Sequence, residues 1–495
     1  MRMMKKLFAI ALVAAMVMAL GVTALADEDG YTVTINQNEQ DKGTHEYGAW
    51  QVFKGNLDDN TGAIGDIQWG DGITDAGKAA LGNAADYAAG ITEENAAEKA
   101  AEIAQYLTNA PEQTGVNEIA GLDGGYYLIK DTKAPEGNPS AQTKYILKVV
   151  RDTEVTVKSS VPTVEKKVQE KNDTTGTTSN WQDAADYDIG DSIPYQVTAT
   201  IGSGIDNFKS YSLQFVDSMS KGLTLEDGWT ITVDDVDVTS YFTYTSASGE
   251  NGYTVHTWAI NDLKSVATLN ENSKVVLSYT AILNDNAVIG AAGNPNTVVL
   301  KYDNNPNDSG KGTPGGTTPE DKNIVFTYEL VANKVDSEGQ ALNGAGFTLY
   351  KKVGSDWVQQ GDEITDVTTF NFSGKDAGAY KLVESTVPAG YNQAADLFFL
   401  VEGTYDTVSD NPSLTALDVY ASDESGVKGA KITEGSSVVF NIDLDKGTAT
   451  TNVVNQQGAE LPSTGGIGTK IFYGVGAVLV IGAGVVLMGR KRAAD

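Results

Sequence analysis

Short runs of alternating apolar and polar residues dominate the chain. Tyr31-Thr-Val-Thr-Ile35, Ser192-Ile-Pro-Tyr-Gln-Val-Thr198, Lys274-Val-Val-Leu-Ser-Tyr-Thr280 and Thr297-Val-Val-Leu-Lys-Tyr302 each send alternate side chains to opposite faces, the pattern of a half-buried strand. Such runs separated by glycine turns predict an all-β protein built of Ig-like β-sandwiches. One stretch departs from this. Residues 76–109 are rich in Ala and Glu, with Ala100, Ile103, Ala104 and Leu107 at helical spacing, so a helical insertion is expected there. The Gly/Pro/Asn/Asp-rich run 303–321 and the break at Ser159-Ser160-Val161-Pro162 read as junctions. They divide the chain into sandwiches at 27–160, 161–320 and 321–456, with the insertion in the first. A length of 495 residues suits about three domains.

The first and third units repeat each other. Tyr31 to Lys54 aligns without gaps on Tyr328 to Lys351. GGYYLIKDTKAPEG (124–137) aligns on AGAYKLVESTVPAG (377–390), with Tyr127/Tyr380, Ile129/Leu382, Asp131/Glu384 and Pro135/Pro388 coinciding. One sandwich fold is therefore expected for both.

Composition removes whole classes of chemistry. There is no cysteine, and the two histidines are His45 and His256. Disulfides, thiol nucleophiles, Cys-ligated zinc and three-His metal sites are excluded within one chain. The formal charge is −31, which argues against nucleic acid as a partner. No phosphate-binding loop follows a strand, and neither histidine suggests a Ser–His–Asp arrangement. Asp234-Asp235-Val236-Asp237 and Asp58-Asp59-Asn60 read as solvated turns rather than calcium loops. Trp50, Trp181, Trp229, Trp258 and Trp357 read as sandwich core or rim. No metal and no cofactor are expected.

The ends set the compartment. Residues 1–26 carry Arg2, Lys5 and Lys6, an apolar Leu7–Leu20 stretch and Ala24-Leu25-Ala26, the form of a cleaved secretory signal peptide. The last segment, 457–495, holds LPSTGG, an apolar run Ile471–Met488 and then Arg490, Lys491 and Arg492. That run is long enough to form a transmembrane helix with its basic tail in the cytoplasm. Leu461, Pro462, Ser463, Thr464 and Gly465, followed by the span and tail, resemble the LPxTG cell-wall sorting signal of Gram-positive bacteria. The resemblance implies that a sortase cysteine attacks the Thr464 carbonyl and passes the acyl group to an amine. Removing the leader takes three positive charges and removing 465–495 a net three more, so −31 becomes −37. Such a surface self-repels, which disfavours non-covalent fibres.

The third unit carries LVANKVDSEGQALNGAGFTLYKK, YKLVESTVPAGY and ATTNVVNQQG, and resembles the collagen-adhesin B-type domain of Gram-positive surface proteins. The second carries PTVEKKVQEKND, IGDSIPYQV, YSLQFVDSMSKGLT and GNPNTVVLKY, and resembles the A-type isopeptide domain of sortase-assembled pilins. These resemblances imply a Lys–Asn isopeptide bond in each, promoted by an acid. The matching residues are Lys334, Asn455 and Glu384 in the third unit, and Lys166, Asn296 and Asp217 in the second, where Lys167 and Asn294 are rivals. The chemistry is coherent. Desolvation pushes a buried lysine toward its neutral, nucleophilic form. A protonated carboxyl beside it can hydrogen-bond the Asn carboxamide and shuttle a proton. The alternative is a buried ion pair beside an unrelated asparagine.

The first unit departs from the pattern. Gln37 stands where Lys334 stands, so no amide is expected there, and Asp131 reads as a surface or turn carboxylate. Lys158 lies where shaft pilins typically carry the lysine of a YPK-type motif, which this chain lacks. It is either a variant acceptor or an ordinary strand-end lysine.

The resemblance as a whole implies a secreted, wall-anchored structural pilus subunit, most simply a shaft pilin with a role in adhesion, and not an enzyme. Its partners would be a pilus-specific or housekeeping sortase, other pilin subunits and peptidoglycan, with the host ligand unidentified. The competing expectation is a wall-anchored monomeric adhesin or basal pilin.

Overall fold

The structure, a computed structural model, describes residues 30–92, 95–159, 161–307 and 314–457. The signal peptide, the LPSTG segment and the apolar run expected to span the membrane lie outside the described residues. Among those described, no helix is long and apolar enough to cross a membrane.

Among the described residues, six sheets form three tandem sandwiches. In the first, a three-stranded sheet centred on Tyr31–Asn36 faces a five-stranded sheet containing Tyr47–Asp58, Gly125–Asp131 and Lys144–Val149. The insertion forms Asp75–Leu81, Ala84–Ala89 and Ala96–Ile103. Thr74 and Asn83 cap the first two helices by accepting from the Gly77 and Asp86 amides. These helices cover the outer face of the five-stranded sheet. A second apolar core of Val52, Phe53, Ile103, Tyr126 and Leu128 therefore lies behind the inter-sheet core of Val33, Ala49, Tyr127 and Ile129. With both faces covered, Tyr47 to Phe53 is buried throughout rather than alternately.

The middle sandwich pairs a seven-stranded with a six-stranded sheet, and the third pairs a four-stranded with a six-stranded sheet. Alternation is regular in the middle unit: Ile193, Tyr195, Val197 and Ala199 are buried and their neighbours are not. First and last strands pair in parallel in both repeat units, Tyr31–Asn36 with Thr153–Thr156 and Tyr328–Val335 with Thr448–Val454. The aligned segments also occupy equivalent pairs, Tyr47–Asp58 with Gly125–Asp131 and Gly346–Val353 with Gly378–Thr386.

The junctions are packed. Asp321–Phe326 hydrogen-bonds antiparallel to Asn294–Tyr302 and parallel to Ala184–Asp186. The middle sheet thus continues past the expected junction at 320/321, and Tyr328 opens the next sheet two residues after Phe326. The apolar run Ile324-Val325-Phe326 is buried, so pairing it into a sheet removes both its side chains and its amides from water. Between the first and middle sandwiches, the Tyr302 hydroxyl accepts from the Ser140 amide at 3.0 Å and donates to the Ser140 carbonyl at 3.1 Å.

Candidate functional site

Lys166, Asp217 and Asn296 come from three strands, Thr163–Val168, Leu213–Met219 and Asn294–Tyr302. The first lies in one sheet of the middle sandwich and the other two in the facing sheet. Alternation turns all three inward, and all are fully buried. Lys166 Nζ contacts Asp217 Oδ2 and donates to the Tyr279 hydroxyl at 2.6 Å. That hydroxyl donates to Asp217 Oδ2 at 2.8 Å and accepts from Asn296 Nδ2 at 2.9 Å. Asp217 Oδ1 and Asn296 Oδ1 have no protein partner. Both are buried acceptors left without a donor from the protein. Burial drives the lysine pKa below its ordinary value despite the opposing Asp217 charge. The rivals have other roles. Lys167 pairs with Asp183 at 2.7 Å near the surface. The Asn294 carboxamide is engaged by the Val288 amide and by the Val288 and Val325 carbonyls.

In the third sandwich Lys334 and Asn455 sit at the ends of adjacent parallel strands of one sheet, and Glu384 reaches them from the other. Glu384 Oε1 lies 3.7 Å from Lys334 Nζ and accepts from Asn455 Nδ2 at 2.7 Å. Its Oε2 accepts from the Ala394 amide at 2.6 Å. Lys334 Nζ also donates to the Val453 carbonyl at 2.9 Å. All three side chains are buried, Asn455 Oδ1 has no protein partner, and burial again lowers the lysine pKa. Both clusters thus bring an amine, a carboxyl and a carboxamide together in one buried site.

The first sandwich corrects the reading of Asp131. It is neither a surface nor a turn carboxylate but is buried on Gly125–Asp131. Asp131 Oδ1 meets His45 Nδ1 at 2.6 Å, and Asp41 Oδ1 meets His45 Nε2 at 3.2 Å. Both ring nitrogens face carboxylates, which selects the imidazolium. Burial opposes that charge, but the hydrogen bonds to Asp131 and Asp41 outweigh it and raise the His45 pKa to about 9. An ion cluster therefore occupies the acid position of the repeat. Asp131 lies 86 residues from His45 in sequence, and the lack of any Ser–His–Asp spacing concealed the cluster.

Sequence reasoning also missed Lys351. This buried ammonium meets Asp173 at 2.9 Å, Asp188 at 2.8 Å and Asp376 at 2.5 Å. Two of these acids come from the middle sandwich, so the cluster ties it to the third. Asp173, Asp188, Asp191 and Asp376 have oxygens close enough to share a cation, and the ammonium already engages three of them. Burial opposes its charge, but Asp376 and Asp188 hold its pKa above the ordinary lysine value. Lys351 is thus an ionic tie, unlike Lys166 and Lys334. The Asp234–Asp237 segment forms a hairpin turn: Asp234 and Asp235 have positive φ, and the Asp234 carboxylate accepts from the Lys274 amide. Lys158 is exposed between Thr153–Thr156 and Thr163–Val168, where the neighbouring Val157 amide donates to the Asn36 carbonyl.

Comparison with known proteins agrees with this architecture. Residues 189–306 match the Gram-positive pilin backbone subunit 2, Cna-B-like domain family. Residues 329–411 match a prealbumin-like fold domain, and 453–495 match the LPXTG cell wall anchor motif. The trypsin-resistant surface T6 protein of Streptococcus pyogenes serotype M6 is 27% identical over 405 residues, covering 68% of this chain and 70% of that protein. The solved structure of the T6 backbone pilin from serotype M6 Streptococcus pyogenes, described as a modular three-domain structure, superposes with a TM-score of 0.50. It is 18% identical and covers 88% of this chain and all of that one. A pilin backbone domain, a prealbumin-like domain and a wall anchor motif in one chain, with a T6 relative, support a structural subunit of the wall-anchored, sortase-assembled pilus shaft of Gram-positive bacteria.

Proposed function

We propose that this shaft subunit closes its second and third units, 161–320 and 321–456, with autocatalytic amides, Lys166–Asn296 and Lys334–Asn455. The observation that carries this reading is the burial of each lysine in one site with a single carboxyl and a single carboxamide. Asp217 and Glu384 are the promoting acids. The neutral amine attacks Cγ of the asparagine, the Nζ–Cγ bond forms, the Cγ–Nδ2 bond breaks, and ammonia leaves. Folding supplies the proximity. The two amides would act differently. The first ties one sheet to the other. The second ties neighbouring parallel strands, so a pull on the chain ends is carried covalently past the ladder between them.

The accurate mass of the folded 27–456 chain tests this directly. It is expected to fall short of the sequence mass by two molecules of ammonia, and by one in Lys166→Ala or Lys334→Ala. A full sequence mass from folded protein refutes both amides.

Polymerisation follows from the ends. A pilus-specific sortase would cleave between Thr464 and Gly465 and transfer Thr464 to Lys158 of the next subunit. A housekeeping sortase would pass the last subunit to peptidoglycan. The exposure of Lys158 supports its role as acceptor. In cells, Lys158→Ala is expected to abolish the high-mass ladder on denaturing gels while leaving the monomer folded. A persistent ladder would assign the acceptor to another lysine and leave adhesion by a shaft with different linkage.

A further inference from the structure

The two acids do not reach their asparagines in the same way. In the third sandwich one oxygen, Glu384 Oε1, lies 3.7 Å from the Lys334 amine and accepts from Asn455 at 2.7 Å. In the middle sandwich Asp217 touches Lys166, while the Asn296 carboxamide donates to the Tyr279 hydroxyl. Aspartate is one methylene shorter than glutamate, and the Tyr279 hydroxyl stands in the gap. It lies 2.6 Å from Lys166 Nζ, 2.8 Å from Asp217 Oδ2 and 2.9 Å from Asn296 Nδ2. It therefore touches the attacking nitrogen, the promoting acid and the leaving nitrogen at once.

The ring is held rigidly. Tyr279 lies directly across the strand pair from Tyr195, with centroids 5.3 Å apart and planes 20° from parallel. On another side it stacks on Trp258 at 5.6 Å and 18°. Lys166 Nζ sits 5.3 Å from the Tyr195 centroid and 5.2 Å from that of Tyr279. Such stacking fixes a hydroxyl to the few tenths of an ångström that proton transfer requires.

We propose that Tyr279 is a catalytic residue of Lys166–Asn296 amide formation, relaying a proton from the attacking Nζ to the departing Nδ2. This rests on the reading that the amide forms. As Nζ bonds to Cγ, one of its protons passes to the Tyr279 oxygen, the hydroxyl swings from Asp217 Oδ2 toward Nδ2, and its own proton passes there. Nδ2 leaves as ammonia, and the tyrosine ends as it began, neutral. Asp217 holds the hydroxyl and the amine in line. Burial disfavours the tyrosinate, aided by the Asp217 charge, so the two transfers are coupled rather than stepwise. In the third sandwich Glu384 spans both reactants, and no hydroxyl is needed.

The test uses the mature chain 27–464 carrying Lys334→Ala, so that the middle amide is the single mass change. The chain is made by brief cell-free synthesis, and ammonia loss is followed by intact mass during the chase. Tyr279→Phe keeps the stacked ring and is expected to slow the loss about 100-fold, the usual scale of general acid–base assistance. Adding Asp217→Glu to Tyr279→Phe is expected to restore most of the rate, because the longer acid reaches Asn296 directly. A rate in Tyr279→Phe equal to the parent's overturns the relay, as does a folded double variant no faster than Tyr279→Phe. The parent rate in D2O provides a readout independent of any variant. Two protons in flight require slowing, and an unchanged rate overturns the relay even if Tyr279→Phe does not fold. Absence of any ammonia loss from the parent refutes the amide itself, a result distinct from these.

Discussion

Asn296→Ala is expected to destabilise the middle sandwich by about 5 kcal/mol, the loop-closure value for a cross-link spanning about 130 residues. For a unit of this size that lowers its melting temperature by roughly 10–20 °C. The substitution suits the question because it removes the electrophile and leaves the buried Lys166–Asp217 pair intact. What is lost is the restraint on the unfolded chain. Lys166→Ala should cost more, because it also empties a fully buried site. Calorimetry with tryptophan fluorescence can isolate the transition, since Trp258 is fully buried and stacked on Tyr279 beside the site. A variant melting within two or three degrees of the parent would rule out a stabilising amide at this position.

Raising the pH from 6 to 9.5 is expected to remove the His45 contribution to the first sandwich, about 3 kcal/mol, offset in part by Lys144, whose pKa burial lowers to about 8 and whose charge ceases to oppose folding as the pH rises. His45 has its pKa raised to about 9 in the fold, against an ordinary value of 6.5. A group with a raised folded pKa contributes stability that is complete below 6.5 and lost as the pH climbs through 9. Moving the His45 pKa from 6.5 to about 9 corresponds to about 3 kcal/mol. Among the charged and titratable neighbours, Asp41 and Asp131 bond the ring directly, and Tyr47 stacks on it at 5.4 Å. Tyr47, Tyr145 and Tyr302 are held neutral in this range by burial, and Lys130 lies near Asp131. Burial also raises the Asp131 pKa, so its contribution runs in the same direction, at lower pH. Asp41 opposes. Burial raises its pKa, but hydrogen bonds from His45 and the Ala141 amide bring it below the ordinary value, so its contribution is lost in acid. The first sandwich should therefore keep the whole His45 contribution only in mildly acidic solution. Its melting temperature, followed from pH 5 to 10 and compared with His45→Gln, checks this. The substitution should flatten the profile between 6.5 and 9, and an unchanged profile would assign the dependence elsewhere.

The cluster also shows how a repeat can diverge. Where Lys334 meets Glu384 in the third sandwich, the first has Gln37 and Asp131. Gln37 Nε2 bonds the Gly43 carbonyl at 2.5 Å, while His45 supplies the cation that the lysine would have brought. The same buried carboxyl position is thus neutralised by an ion cluster. Because the Asp41 carboxylate also holds the Ala141 amide, next to the Ser140 contact with Tyr302, it links the interior of the first sandwich to its junction with the middle one.

Much of this protein is legible along the chain because strands report their faces locally. Period-two alternation puts Lys334 in line with Leu330 and Ala332, and Asn296 in line with Val298 and Leu300, whatever the rest of the fold does. Glycine turns, the Ala/Glu-rich insertion and the 31–54/328–351 repeat are likewise local signals. The tertiary structure decided what those inward-facing groups meet. Tyr279 is one more inward tyrosine on an alternating strand until sheet stacking sets its hydroxyl among Lys166, Asp217 and Asn296. His45 is an isolated histidine until Asp131, 86 residues away, arrives at its ring. Lys351 is a charged residue on an ordinary strand until the second and third sandwiches close their carboxylates around it. Each of these groups takes its protonation state from burial and from neighbours brought by pairing across sheets and junctions. Sequence by itself therefore determined which residues point inward, and only the assembled sheets decided which of them became amine, relay or ion.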